Sequence, residues 1–121
     1  MGKADRYFIA SGIVAALIGM SLGIVMGIRG DFSLAPAHAH ANLVGWATLC
    51  LFGLAYRSGL ARNDRWAMIH FAIALSGAIA LPLGIAVSIL EGRIGLAVIG
   101  SFLTLGSMIL FSVNFWRARA G

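Results

Sequence analysis

A chain of 121 residues that is 60% hydrophobic and only 11% charged is too apolar for an ordinary soluble domain, and its length allows one domain. Its net charge of +5 does not point to nucleic acid, because the basic residues sit in short loops between apolar runs rather than in a stripe. A single cysteine, Cys50, excludes an internal disulfide framework.

Four apolar stretches follow one another, about 7–28, 37–56, 66–89 and 94–116, and none holds Asp, Glu, Lys or Arg. Each is near the ~20 residues that cross the hydrocarbon core as a helix. The first is too long for the apolar core of a signal peptide and lacks a small-x-small cleavage site, so it is expected to be a retained span. The connections are short, which makes successive helices antiparallel neighbours. The predicted fold is an all-α integral membrane protein, a four-transmembrane-helix bundle with residues 1–121 as its single domain.

Charge sets the expected orientation. Lys3, Arg6, Arg57, Arg62, Arg65, Arg117 and Arg119 fall on one side of such a bundle, and only Arg29 and Arg93 fall on the other. Seven basic residues against two predict that both termini are cytoplasmic, in the inner membrane if the source is bacterial. Tyr7, Tyr56, Trp66 and Trp116 mark the inner ends of the four spans as an interfacial aromatic belt.

The first span carries Ser11, Ala15, Gly19, Gly23 and Gly27, a small residue at every fourth position. Such a row admits another helix closely, within the subunit or between subunits. Pro36 suits the first turn of the second span, where its missing N–H costs nothing. Pro82, near the middle of the third span, is expected to kink it and open space for a cofactor. The fourth span reads as packing, with Asn114 near its inner end.

The stretch Pro36-Ala37-His38-Ala39-His40-Ala41-Asn42 holds two of the three histidines, at the outer end of the second span. Histidine in a membrane segment is expensive and marks a candidate site. Two residues apart on a helix is about 200° of rotation, so the rings leave on nearly opposite sides. That spacing disfavours one metal ion held by both, and disfavours both faces of one haem. It suits a helix wedged between two cofactors or two subunits. Imidazole is a good ligand for haem iron. No Cys-x-x-Cys-His is present, which leaves non-covalent haem b as the expected cofactor.

Copper would need a third ligand. His40 and His70 lie near opposite ends of their spans, roughly 20 Å apart in depth across the core, so copper is not expected. His70 reads as an interfacial histidine bonded to water or headgroups, with metal ligation the lesser reading. Asn42 shares a face with His38, either to support that ring or to bond another helix. Trp46 follows one turn on. Arg29 and Arg93 are the outer cations, there for haem propionates or as solvated loop charges. Cys50 reads as a small hydrophobe and Thr48 as bonded to its own helix. The bland alternative for His38 and His40 is a pair of rings at the interface, bonded to water.

The run His38-Ala39-His40-Ala41-Asn42-Leu43-Val44-Gly45-Trp46, continuing through Leu51-Phe52-Gly53-Leu54-Ala55-Tyr56, resembles the haem-bearing helices of the heme-copper oxidase subunit I superfamily. In that family a His-x-His helix stands between two haems, and twelve helices form three four-helix units. The resemblance implies one such unit, with His38 and His40 as axial ligands. It implies no copper centre: a His-Pro-Glu-Val-Tyr-like ligand segment and an adjacent His-His pair are both missing. Three copies would rebuild the threefold unit, so a homotrimer is expected, with a dimer second.

The function this implies is electron transfer by a small b-type membrane cytochrome, with lipid and further copies of itself as partners. An electron donor and acceptor are required but not identified. The rival readings are an oxygen- or nitric-oxide-binding reductase or sensor with an open iron position, a non-haem scaffold or assembly subunit, and a small transporter or channel. The last is weakened by the lack of acidic residues in the spans.

Overall fold

The computed structural model describes residues 2–120. The first and last residues of the single domain expected over 1–121 lie outside the described residues. The described chain is all helix, turn and loop, in the order α1 (Ala4–Arg29), α2 (Ala35–His40), a π-helical segment (Ala41–Thr48), α3 (Leu49–Arg57), α4 (Arg65–Glu91) and α5 (Gly95–Arg119). Helices α1, α4 and α5 are long and apolar enough to cross a membrane. The α2, π and α3 segments, of six, eight and nine residues, run on with His40, Thr48 and Leu49 all in right-handed helical conformation. They form one continuous rod, so four helical rods make up the bundle. The expected span limits fall within three residues of the observed ends.

The turns explain the punctuation. Gly30 and Gly92 take left-handed conformations at φ 63° and 71°, and stop α1 and α4. Between them and the next helices, Asp31 accepts from the Ser33 hydroxyl and backbone N–H, which hold its carboxyl below the usual value. Pro36 falls in the first turn of α2, as expected. At the other end, Gly59 at φ 80° closes α3, with Leu60 N–H bonded to Ala55 O and Gly59 N–H to Tyr56 O. Asp64 caps α4 by accepting from Trp66 N–H at 2.9 Å. Asn63 accepts from Ala4 N–H at 3.3 Å and donates to Asp5 at 3.0 Å, tying this loop to the start of α1.

Packing uses small residues, because lipid gives apolar helices no hydrophobic reason to prefer each other. The α1 row is spent inside the chain: a Cβ on Gly19 would sit 2.6 Å from Asn42 Oδ1, and one on Gly23 2.8 Å from His38 Cε1. Gly27 meets nothing. A second small-residue seam, which the sequence reading assigned only to general packing, joins α4 to α5. A Cβ on Gly100 would lie 2.5 Å from Leu81 N, Gly77 abuts Thr104, and Gly84 abuts the backbone of Ala97. Helix α4 continues through Pro82, which was expected to kink it. Pro82 lines an apolar groove with Ser11, Ala15 and Gly45.

Candidate functional site

The rod that carries His38 and His40 is α-helical as far as His40 and then widens into the π segment. The pair therefore keeps the opposed α-helical spacing, while the register beyond it shifts. Long π segments are rare and cluster at functional sites. Local chemistry supports this one. The Thr48 hydroxyl donates back to Leu43 O at 2.6 Å, and Asn42 Nδ2 donates to His38 O at 3.1 Å. The wide coil also sets Gly45 against Ala15 of α1. An Asn, a Gly and a Thr at intervals of three were the available sequence signal, and regular periodicity concealed it.

His38 is half-buried in the seam with α1, its Nδ1 2.8 Å from Gly19 O. His40 is half-buried too, its Nδ1 2.8 Å from Pro36 O in its own helix. A carbonyl only accepts, so each Nδ1 must carry the ring proton. Each Nε2 is then a lone-pair donor atom. For His38 the Asn42 amide lies close over the ring, 3.4 Å from Nδ1 and 3.5 Å from Nε2. The residues beside the two rings, Ala37, Ala39 and Ala41, project nothing larger than a methyl group.

The other predicted members of the site are less closely gathered. Trp46 is 38% exposed, on the outside of the rod. Arg29 is exposed at the last turn of α1, and Arg93 is paired with Glu91. Among the described residues, no three His, Cys, Asp or Glu side chains form a metal cluster.

His70 is a correction. It is not a solvated interfacial ring but is fully buried. The phenyl rings of Phe8 and Phe52 lie 4.9 and 4.6 Å from it, and the α3–α4 loop closes over this end. Tyr56 is a second correction: it is 2% exposed and belongs to the core rather than to an aromatic belt. Tyr7, Trp66 and Trp116 do remain exposed.

Tyr56 Oη lies 2.8 Å from His70 Nδ1, and Ser107 Oγ lies 3.0 Å from Nε2. Asn114 Nδ2 donates to Tyr56 Oη at 2.8 Å, and Arg117 donates to Asn114 Oδ1 at 3.1 Å and to Asp64 at 3.2 Å. The proton order follows from one end. Arginine only donates, so Asn114 must turn its oxygen to Arg117 and its NH2 to Tyr56. The Tyr56 oxygen thus accepts, its own proton goes to His70 Nδ1, and Nε2–H goes to Ser107. Both ring nitrogens are occupied, so His70 has no atom left for a metal. Asn114, and Ser107 from a span otherwise expected to serve packing, are buried members of this chain. No buried side-chain nitrogen or oxygen among the described residues lacks a partner.

No family model, curated protein or solved structure matches this chain.

Proposed function

We propose that this chain is a membrane-embedded b-type haem protein that transfers electrons, with His38 and His40 as axial donors. The observation that carries the reading is that both rings place Nδ1 2.8 Å from a main-chain carbonyl, which leaves Nε2 as the lone-pair atom, open on His40 and beside the Asn42 amide on His38, as in an oriented imidazole ligand. A haem held there would supply a reversible one-electron couple. Gly19 O fixes the plane of the His38 ring, and Pro36 O fixes that of His40. The alanines that alternate with them allow a flat macrocycle to approach.

Rings leaving opposite sides of one helix serve different macrocycles, so His38 of one copy pairs with His40 of the next. A closed trimer uses every histidine, and a dimer leaves some idle. Two imidazoles per iron leave no open position, which favours electron transfer over gas chemistry. Arg29 is the freer cation for a propionate, since Arg93 is held by Glu91. The excess of basic residues at the end bearing the chain termini supports a cytoplasmic location for that end.

A second reading has its own observation. His38 fastens the rod to α1 through Gly19 O, over space that Gly23 leaves clear. On that view His38 is a structural clasp and His40 the sole ligand, with an open iron face for oxygen or nitric oxide.

Absorption spectra of detergent-purified wild type, His38→Ala and His40→Ala, oxidised and reduced, with and without carbon monoxide, separate these readings. Sharp reduced bands indifferent to carbon monoxide and weakened in both variants are expected. Bands that shift with carbon monoxide and survive His38→Ala support the second reading. A colourless wild type after haem-supplemented expression overturns both and leaves the scaffold role.

A further inference from the structure

At the basic end of the bundle, the loop between α3 and α4 and the last turn of α5 enclose a cavity of about 480 Å³. Arg57, Arg62 and Arg117 line it, with Asn63 beside them and Tyr56 beneath. No carboxylate is among its lining residues. Arg117 is held at one side by Asp64, 3.2 Å away. Arg57 is two-thirds exposed and only loosely placed, 3.9 Å from Asp5. Arg62 is exposed and takes part in no ion pair among the described residues. Lys3, Arg6, Arg65 and Arg119 share this end of the bundle, so Asp5 and Asp64 fall far short of neutralising it.

Three guanidinium groups around one recess, with only two carboxylates set outside it at Asp5 and Asp64, leave an excess of positive charge there. They are a good arrangement for a phosphate, whose oxygens accept paired N–H donors from an arginine fork. Cavities of this kind at the ends of membrane helices lie at headgroup level, where basic pockets meet anionic lipids.

We propose that this cavity binds a phosphate-bearing anion through Arg57, Arg62 and Arg117. The two sources of that chemistry are the headgroup of an anionic lipid and free phosphate. Arg117 also anchors Asn114, so the occupied cavity adjoins the start of the buried Asn114–Tyr56–His70 chain.

The test uses the full chain in a neutral detergent, with native mass spectrometry reading retained dioleoyl-phosphatidylglycerol against dioleoyl-phosphatidylcholine. Inorganic phosphate is added as competitor. Arg57→Gln/Arg62→Gln empties the rim without touching the core. Lys3→Gln/Arg6→Gln removes the same charge outside the cavity. The expected result is a preference for phosphatidylglycerol that falls roughly tenfold in the rim variant and little in the control. If millimolar phosphate removes that preference, the soluble anion is the source; if it does not, the lipid is. Equal losses in both variants reduce the effect to general surface charge and overturn the cavity. So does the absence of any preference together with no protection by phosphate against thermal unfolding.

Discussion

The histidines at the two ends of this bundle are treated in opposite ways. At the basic end, His70 is fully buried and both of its ring nitrogens are bonded to side-chain hydroxyls. At the other end, His38 and His40 are half-buried and each commits Nδ1 to a backbone carbonyl; His38 Nε2 has the Asn42 amide 3.5 Å away, and His40 Nε2 has no side-chain partner among the described residues. Burial without a partner is costly in hydrocarbon, so the deep ring had to be saturated. Near the helix end water or a ligand can complete a ring, so a nitrogen can be left over. The contrast separates a histidine saturated within the core from a pair at a helix end that the proposed function takes as ligands.

That contrast predicts how the sites fail. His70→Ala removes a ring packed among Phe8, Phe52 and Phe111 and strands the Tyr56 and Ser107 hydroxyls. It should cost roughly 2–4 kcal/mol, seen as a lower unfolding midpoint in detergent followed by tryptophan fluorescence. A midpoint equal to wild type would mean that this end is not the fold's anchor. Tyr56→Phe keeps the ring and removes one hydroxyl, leaving Asn114 Nδ2 and His70 Nδ1 without that partner. Its cost should be about 1–2 kcal/mol in the same assay. His40→Ala is the smallest change to the fold. Its one intramolecular bond is to its own helix, so stability of the haem-free protein should move by no more than about 0.5 kcal/mol. A larger loss would make His40 structural and erase the contrast between the ends.

Parts of the second end were visible in the residue string and parts were not. His-x-His on an apolar helix announced itself, and helical geometry alone set the two rings on opposite sides. The tautomers were hidden, because they depend on Gly19 O, nineteen residues away from His38 in the chain. The i, i+4 spacing puts Asn42 beside His38, as the structure has it, whereas the π segment that follows has no counterpart in helical periodicity. For His70 the failure was larger. Position near a span end suggested solvent, while Tyr56, Ser107 and Asn114 arrive from 14, 37 and 44 residues away along the chain.

The small-residue rows show the same division. The glycines of α1 promised a close neighbour, and only the packed bundle shows that the neighbour is the histidine-bearing rod of the same chain. The α4–α5 seam is regular too, with buried residues of α4 at Ala67, His70, Ala74, Gly77, Leu81 and Gly84 and of α5 at Gly100, Ser107 and Asn114, but this repeat by sevens is masked in the residue string by uniformly apolar neighbours.

Residue order along the chain is enough to make it helical, to give it segments apolar and long enough to cross a membrane, and to stop most of its helices. Those properties are local: hydropathy, length, a proline in the first turn and glycines at left-handed caps. Folding selects which polar groups share a buried chain, what each ring nitrogen faces and which glycines are met by a neighbouring helix. Each of those depends on an atom brought close by folding from a distant part of the chain, and in hydrocarbon such pairings determine whether a polar side chain is structural or available.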